Sequence, residues 1–121
     1  MTKVLIVDDA GFMRNALKLV LERNGFIVCG EAENGKIAIE KYEELKPDIV
    51  TMDITMPEMT GLEALADIMK KDSTAKIIMV SALGQEAFVR ESVLAGAKGF
   101  IVKPFKEEAI LKALEKFRVN G

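Results

Sequence analysis

Five short apolar runs recur along this chain and limit what it can become: VLIV at 4–7, FIVC at 26–29, DIVTM at 48–52, KIIMV at 76–80 and GFIV at 99–102. They are rich in β-branched residues and mostly lack alternation of apolar and polar positions, the pattern of strands covered on both faces. Between the runs, apolar residues fall at three- and four-residue spacing. The sets are Met13, Leu17, Val20 and Leu21; Ile37, Ile39, Tyr42 and Leu45; Leu62, Leu65, Ile68 and Met69; and Ile110, Leu114 and Phe117. Such stripes mark amphipathic helices. Gly25, Pro47, Gly96 and Gly99 punctuate the segments. Strand and helix therefore alternate five times. That alternation predicts a doubly wound α/β domain, (βα)5, with a five-stranded parallel sheet and helices on both faces.

The length of 121 residues suits one domain, and no output domain is expected after the fifth helix. A net charge of −2 offers no broad basic surface to nucleic acid. No apolar stretch approaches the ~20 residues that span a bilayer. The start, MTKVLIVDD, has too short an apolar run for a signal peptide. No membrane insertion and a cytoplasmic setting are expected. The single cysteine, Cys29, excludes an internal disulfide and reads as a buried core thiol within FIVC. The absence of histidine excludes His-based zinc sites and Ser-His-Asp triads.

In open α/β sheets, ligands bind beyond the carboxyl ends of the strands. Asp8 and Asp9 stand after the first run, Asp53 after the third, Ser81 after the fourth, and Lys103 and Pro104 after the fifth. Each has an ordinary explanation taken alone. An Asp pair is often a loop or a helix cap. Asp53 can form a turn before Pro57, Ser81 can cap the next helix, and Lys103 can be a solvated charge. Taken together they make a chemistry. Three adjacent carboxylates repel one another unless a cation sits among them. An oxygen-rich set suits Mg²⁺. A carboxylate beside such a metal can act as a nucleophile and form an aspartyl phosphate. A hydroxyl and an amine can then hold the phosphoryl oxygens.

Other phosphate chemistries fit less well. GEAENGKI at 30–37 nearly matches a P-loop, but Ile37 stands where the magnesium hydroxyl belongs, and Glu31 and Glu33 would repel phosphate. The segment reads better as the end of the second strand and a cap before the second helix. A phosphatase of the haloacid dehalogenase type wants an acid two residues after its nucleophile, where this chain has Thr55. An FMN carrier would meet the acids of DDAGFMRN where its phosphate should sit.

The motifs VLIVDD at 4–9, DIVTMDITMPEMTG at 48–61, VSA at 80–82 and GFIVKPF at 99–105 together resemble the response-regulator receiver family over essentially the whole chain. Within it, the chain looks most like the stand-alone chemotaxis regulators. The resemblance, and not the residue pattern, implies a flavodoxin-like sheet in the order 2-1-3-4-5 and a single receiver domain over residues 1–121. It implies Asp53 as phosphoacceptor. It assigns Mg²⁺ to Asp8, Asp9, Asp53 and the backbone carbonyl of Thr55, with Asp8 acting mainly through water. Ser81 and Lys103 would contact the phosphoryl group, and the Lys103–Pro104 bond would be cis. Thr55 and Leu83 would flank the path of the hydrolytic water and tune the lifetime of the phosphate.

The resemblance also implies function. A histidine kinase would donate the phosphoryl group, and the chain would promote its own phosphorylation and dephosphorylation rather than act as an enzyme on other substrates. A phosphatase is a further expected partner. Phosphorylation would move Ser81 and Phe100 and switch binding to a motility-motor component or adaptor. The alternative is a single-domain phosphorelay receiver, or a regulator docking on a non-motor target. Many chemotaxis members carry tyrosine three residues before the lysine; this chain has Phe100, which keeps the ring without the hydroxyl. Family members bind targets on the fourth helix, fifth strand and fifth helix. Phe88 and Val89, adjacent on a helix and ~100° apart, are with Phe100 the expected partner face, one of the two being exposed. A monomer is expected.

Overall fold

The computed structural model describes residues 1–119; Asn120 and Gly121, the end of the expected domain, lie outside them. Its elements are β1 (Lys3–Val7), α1 (Gly11–Arg23), β2 (Ile27–Ala32), α2 (Gly35–Leu45), β3 (Ile49–Met52), α3 (Gly61–Lys71), β4 (Ile77–Ser81), α4 (Glu86–Leu94), β5 (Gly99–Val102) and α5 (Glu107–Glu115). The strands form one sheet in the order β2-β1-β3-β4-β5. Every neighbouring pair is parallel. This is the flavodoxin-like architecture expected from the sequence.

The missing alternation has a direct cause. Val4 and Ile6 of β1 point into a core with Leu17, Val20 and Leu21 of α1 and Ile110 and Leu114 of α5. Leu5 and Val7 point to the other face, against Ala38 of α2 and Ala64, Leu65 and Ile68 of α3. Each of these β1 residues thus finds apolar cover whichever way it points. Burying one Leu or Ile side chain contributes about 1.5–3 kcal/mol; such residues make up most of the α1–α5 core, while the α2–α3 core mixes them with Ala, Val and Met.

Local signals set the helix ends. Asn34 accepts a hydrogen bond from the Ile37 N–H at the start of α2. Thr60 and Glu63 form a reciprocal capping box at the start of α3. Gly25, at φ +86°, turns the chain out of α1 in a conformation that side chains with a Cβ disfavour.

One expectation needs correction. Cys29 is half-buried, not a core thiol, because β2 is an edge strand whose residues Val28–Glu31 are all half-covered. As expected of GEAENGKI, the second strand ends within it: β2 runs on to Ala32, where Gly30 and Glu31 pair with Leu5 and Ile6 after a register shift. In α2 the fully buried face centres on Gly35 and Ala38, with Ile37, Ile39, Tyr42 and Leu45 packed around it half-buried.

Candidate functional site

β1, β3 and β5 deliver their C-terminal residues to one edge of the sheet. Asp8 follows Val7 of β1, Asp53 follows Met52 of β3, and Lys103 follows Val102 of β5. Oxygens from the carboxylates of Asp8, Asp9 and Asp53 all lie within 4.8 Å of one another. Asp8 and Asp53 are buried and Asp9 is exposed. Lys103 Nζ lies 2.6 Å from Asp8 Oδ2 and 3.5 Å from Asp53 Oδ2. The Lys103–Pro104 peptide is cis.

The ordinary explanations of these residues do not describe what the structure holds. Asp8 does not cap α1: its Oδ1 accepts from the Ala10 N–H at 2.9 Å, while the N-cap of α1 is Ala10, without a side-chain bond. Ser81 does not cap α4, whose N-cap is Gln85; its Oγ accepts from the Leu83 N–H at 3.1 Å. Lys103 is not a solvated charge, with only 16% of its side chain exposed.

Burial pushes the Asp53 carboxyl above the usual carboxylate range. The Lys103 ammonium opposes that rise, Asp8 adds to it, the Ile54 N–H bond at 2.8 Å opposes it, and Asp9 adds to it. A carboxylate held in this way gains from any cation brought among the acids. The donor set is hard and oxygen-only, which suits Mg²⁺ better than a soft metal.

The backbone behind Asp53 is closely packed. A Cβ added at Gly61 would sit 1.8 Å from the Asp53 carbonyl oxygen, and the Gly61 N–H donates to the Ile54 carbonyl at 2.7 Å. The start of α3 therefore presses on the peptide that carries Asp53. Thr55 lies two residues further on, exposed.

Leu83, Phe88 and Phe100 are half-buried against the core on the α2–α3 face of the sheet. Val89 is also half-buried. The exposed apolar side chains of α4 are instead Val93 and Leu94. A cavity of about 760 Å³ lies at the opposite end of the sheet, lined by Pro47 and Asp48 before β3 and Ala75 and Lys76 before β4. Its lysines and acids are balanced, and none of the sheet-edge acids reaches it.

A model of the response regulator receiver domain matches residues 4–115. The chain belongs to the response regulator receiver family. It is similar to the chemotaxis protein CheY of Thermotoga maritima, 60% identical over 114 residues that span 94% of this chain and 95% of that protein. It is equally similar to CheY of Listeria monocytogenes, 60% identical over 116 residues, 96% of this chain and 98% of that one. Among solved structures, CheY in the CheX–CheY–BeF3–Mg²⁺ complex of Borrelia burgdorferi superposes with a TM-score of 0.94 at 40% identity, covering 98% of this chain and 90% of that one. These relatives mark it as a receiver of the CheY type, a family of phosphoacceptor signalling proteins. Receivers bind Mg²⁺, and the cluster of Asp8, Asp9 and Asp53 fits that ion.

Arg14 and Glu31 were not among the residues expected at the site. Arg14 Nη1 donates to the Asp8 carbonyl at 2.7 Å, and its Nε donates to Glu31 Oε1 at 3.0 Å. The partners come from β1, α1 and β2, and spacing along the chain carries no trace of such a bond.

Proposed function

We propose that the chain is a chemotaxis response regulator that accepts a phosphoryl group on Asp53 and switches its affinity for a motility-motor component or adaptor. The observation that carries this reading is the buried Asp53 carboxylate, fixed at a strand end, within one cluster with Asp8 and Asp9 and 3.5 Å from the Lys103 amine. The reading takes residues 1–121 as one receiver domain, monomeric and cytoplasmic, supported by the family match over 4–115.

In the proposed transfer, a carboxylate oxygen of Asp53 attacks the phosphorus of a phosphohistidine on a kinase. The P–O bond forms as the P–N bond breaks, and the imidazole leaves with the electron pair and takes up a proton. Asp8, Asp9, Asp53 and the Thr55 carbonyl would hold Mg²⁺, which when bound neutralises charge on the phosphoryl oxygens and the carboxylates. Water attacking the same phosphorus later releases phosphate and restores the carboxylate, unaided or with a phosphatase. Thr55 and Leu83 would border its approach.

The new dianionic group adds ~−2 of charge to the pocket. Lys103 would turn from Asp8 towards a phosphoryl oxygen. Ser81 would give up its bond from Leu83 and donate its hydroxyl to another. Ser81 ends β4, and Phe100 of β5 lies in register with Met79 of the same strand. A movement at the end of β4 can thereby reach the Phe100 ring and a partner face including Phe88 and Val89. A bias of a few kcal/mol suffices to switch affinity.

The test is peptide mapping after treatment with phosphoramidate and Mg²⁺, followed by pull-down of a motor-switch protein. Label on the peptide containing Asp53, and capture that rises with it, are expected. Label elsewhere would overturn the acceptor assignment. Label on Asp53 without motor-switch capture would favour a phosphorelay receiver or a non-motor target.

A further inference from the structure

The carboxylates of Asp8 and Asp9 are aimed by different means. Asp8 is fixed at both oxygens, by the Ala10 N–H and by Lys103. The exposed carboxylate of Asp9 has no hydrogen bond or ion pair among the described residues. What the backbone sets is where this side chain starts, and the Asp8–Asp9 peptide unit from which it hangs fixes that point. That unit lies just past the end of β1, where the Asp8 N–H makes a last bond to the Ala32 carbonyl at 3.0 Å. Its carbonyl is the acceptor of the Arg14 guanidinium at 2.7 Å.

Arg14 is itself held. Its Nε reaches Glu31 Oε1 on β2 at 3.0 Å, and the Glu31 backbone carbonyl accepts from Lys41 Nζ of α2 at 2.6 Å. The side chains of Arg14 and Glu31 are 20% and 37% exposed, so the pair is partly screened from water. A planar guanidinium can hold two acceptors in fixed directions at once, as an ammonium on a flexible stem cannot. The result is a brace from β2, through α1, to the peptide plane between the two acids.

We infer that Arg14, anchored by Glu31, is a positioning residue for the divalent cation: it fixes the Asp8–Asp9 peptide so that the Asp9 carboxylate faces Asp8 and Asp53 before the ion arrives. The inference rests on the proposed metal-dependent function and extends it to residues outside the acidic cluster. Residues that orient a metal's ligands commonly change affinity by 10–100-fold when removed.

The test is calorimetric titration of the full chain with MgCl₂, without phosphodonor, for the parent, Arg14→Gln, Arg14→Lys, Glu31→Gln and Asp9→Asn. Melting temperatures in EDTA provide the check on folding. The parent should bind one ion, and Asp9→Asn should lose most of that binding. Arg14→Gln should weaken it about tenfold, Glu31→Gln by less, and Arg14→Lys should recover part of the loss. The Mg²⁺ concentration that half-saturates phosphoryl uptake should rise by the same factor. A role confined to stability would lower the melting temperature and leave the affinity alone. Parent-like Mg²⁺ affinity in a folded Arg14→Gln would overturn the inference while leaving the cation site intact. Should Arg14→Gln fail to fold, parent-like affinity in both Glu31→Gln and Arg14→Lys would do the same. A parent that binds no Mg²⁺ would overturn the cation site and the inference together.

Discussion

Lys103 is bonded to Asp8 more closely than to Asp53, at 2.6 Å against 3.5 Å. Only 2% of the Asp8 side chain is exposed, so the amine is its principal counter-charge. Removing one partner of a buried ion pair leaves the other charge uncompensated, at a cost of about 3–5 kcal/mol. Lys103→Ala should therefore unfold at lower urea in EDTA, by about 3 kcal/mol, the lower end because the pair borders open solvent. Saturating Mg²⁺ should close much of the deficit by supplying positive charge to the same acids. An equal deficit with and without Mg²⁺ would separate the amine from the cation site.

Asp53 should make the metal-free protein less stable as pH rises. Its folded pKa lies above the unfolded value, chiefly through burial. Between the two values the folded chain keeps a proton that the unfolded chain has lost, so unfolding free energy falls with rising pH and the penalty is complete above the folded pKa. Asp53→Asn, which removes the charge and keeps an oxygen to accept from Ile54, should melt above the parent at neutral pH in EDTA. The advantage should shrink as pH falls through the carboxylate range. A pH-independent difference would mean that the buried charge is not its source.

Gly61 tests how tightly the acceptor is built. Its Cβ position lies 1.8 Å from the Asp53 carbonyl oxygen, a backbone atom that cannot rotate away. Gly61→Ala should cost about 3 kcal/mol, at the upper end for inserting one carbon into a packed site. It should also slow phosphoryl uptake by displacing Asp53. Denaturant midpoints and uptake rates measure the two effects, and an unchanged rate would show that α3 does not set the carboxylate's place.

Thr51 carries a buried hydroxyl with no hydrogen-bond partner among the described residues. It lies in β3, two residues before Asp53, in register with the apolar residues Ile6 and Ile78 of the flanking strands. An unmet buried polar group costs about 1–3 kcal/mol. Thr51→Val keeps the branched shape and should raise stability by about 1 kcal/mol. A loss of stability would mean that the hydroxyl has a partner in solution.

The strand ends were legible because a doubly wound sheet turns positions along the chain into positions in space. Asp8, Asp53 and Lys103 meet because each follows a continuous apolar run, and such runs stand out where both faces are covered. β2 was less legible. As an edge strand it has only partial apolar cover, so Cys29, within an apolar run, looked more buried than it is. The capping explanations for Asp8 and Ser81 could be weighed only once the true caps, Ala10 and Gln85, were in view. Arg14 and Glu31 were invisible because their bond joins a helix to an edge strand 17 residues away. The exposure of Val93 and Leu94 depends on how α4 rolls against its neighbours, which the weak apolar stripe of that helix leaves open.

The central claim is that Asp53 accepts a phosphoryl group with the help of a divalent cation. Intact mass after incubation with acetyl phosphate or phosphoramidate, with Mg²⁺ and with EDTA, tests it most directly when the parent and Asp53→Asn are run side by side. A base-labile gain of one phosphoryl group in the parent with Mg²⁺, absent in EDTA and in Asp53→Asn, is the expected result. A gain of the same size in Asp53→Asn, or no gain in the parent under any condition, would contradict it.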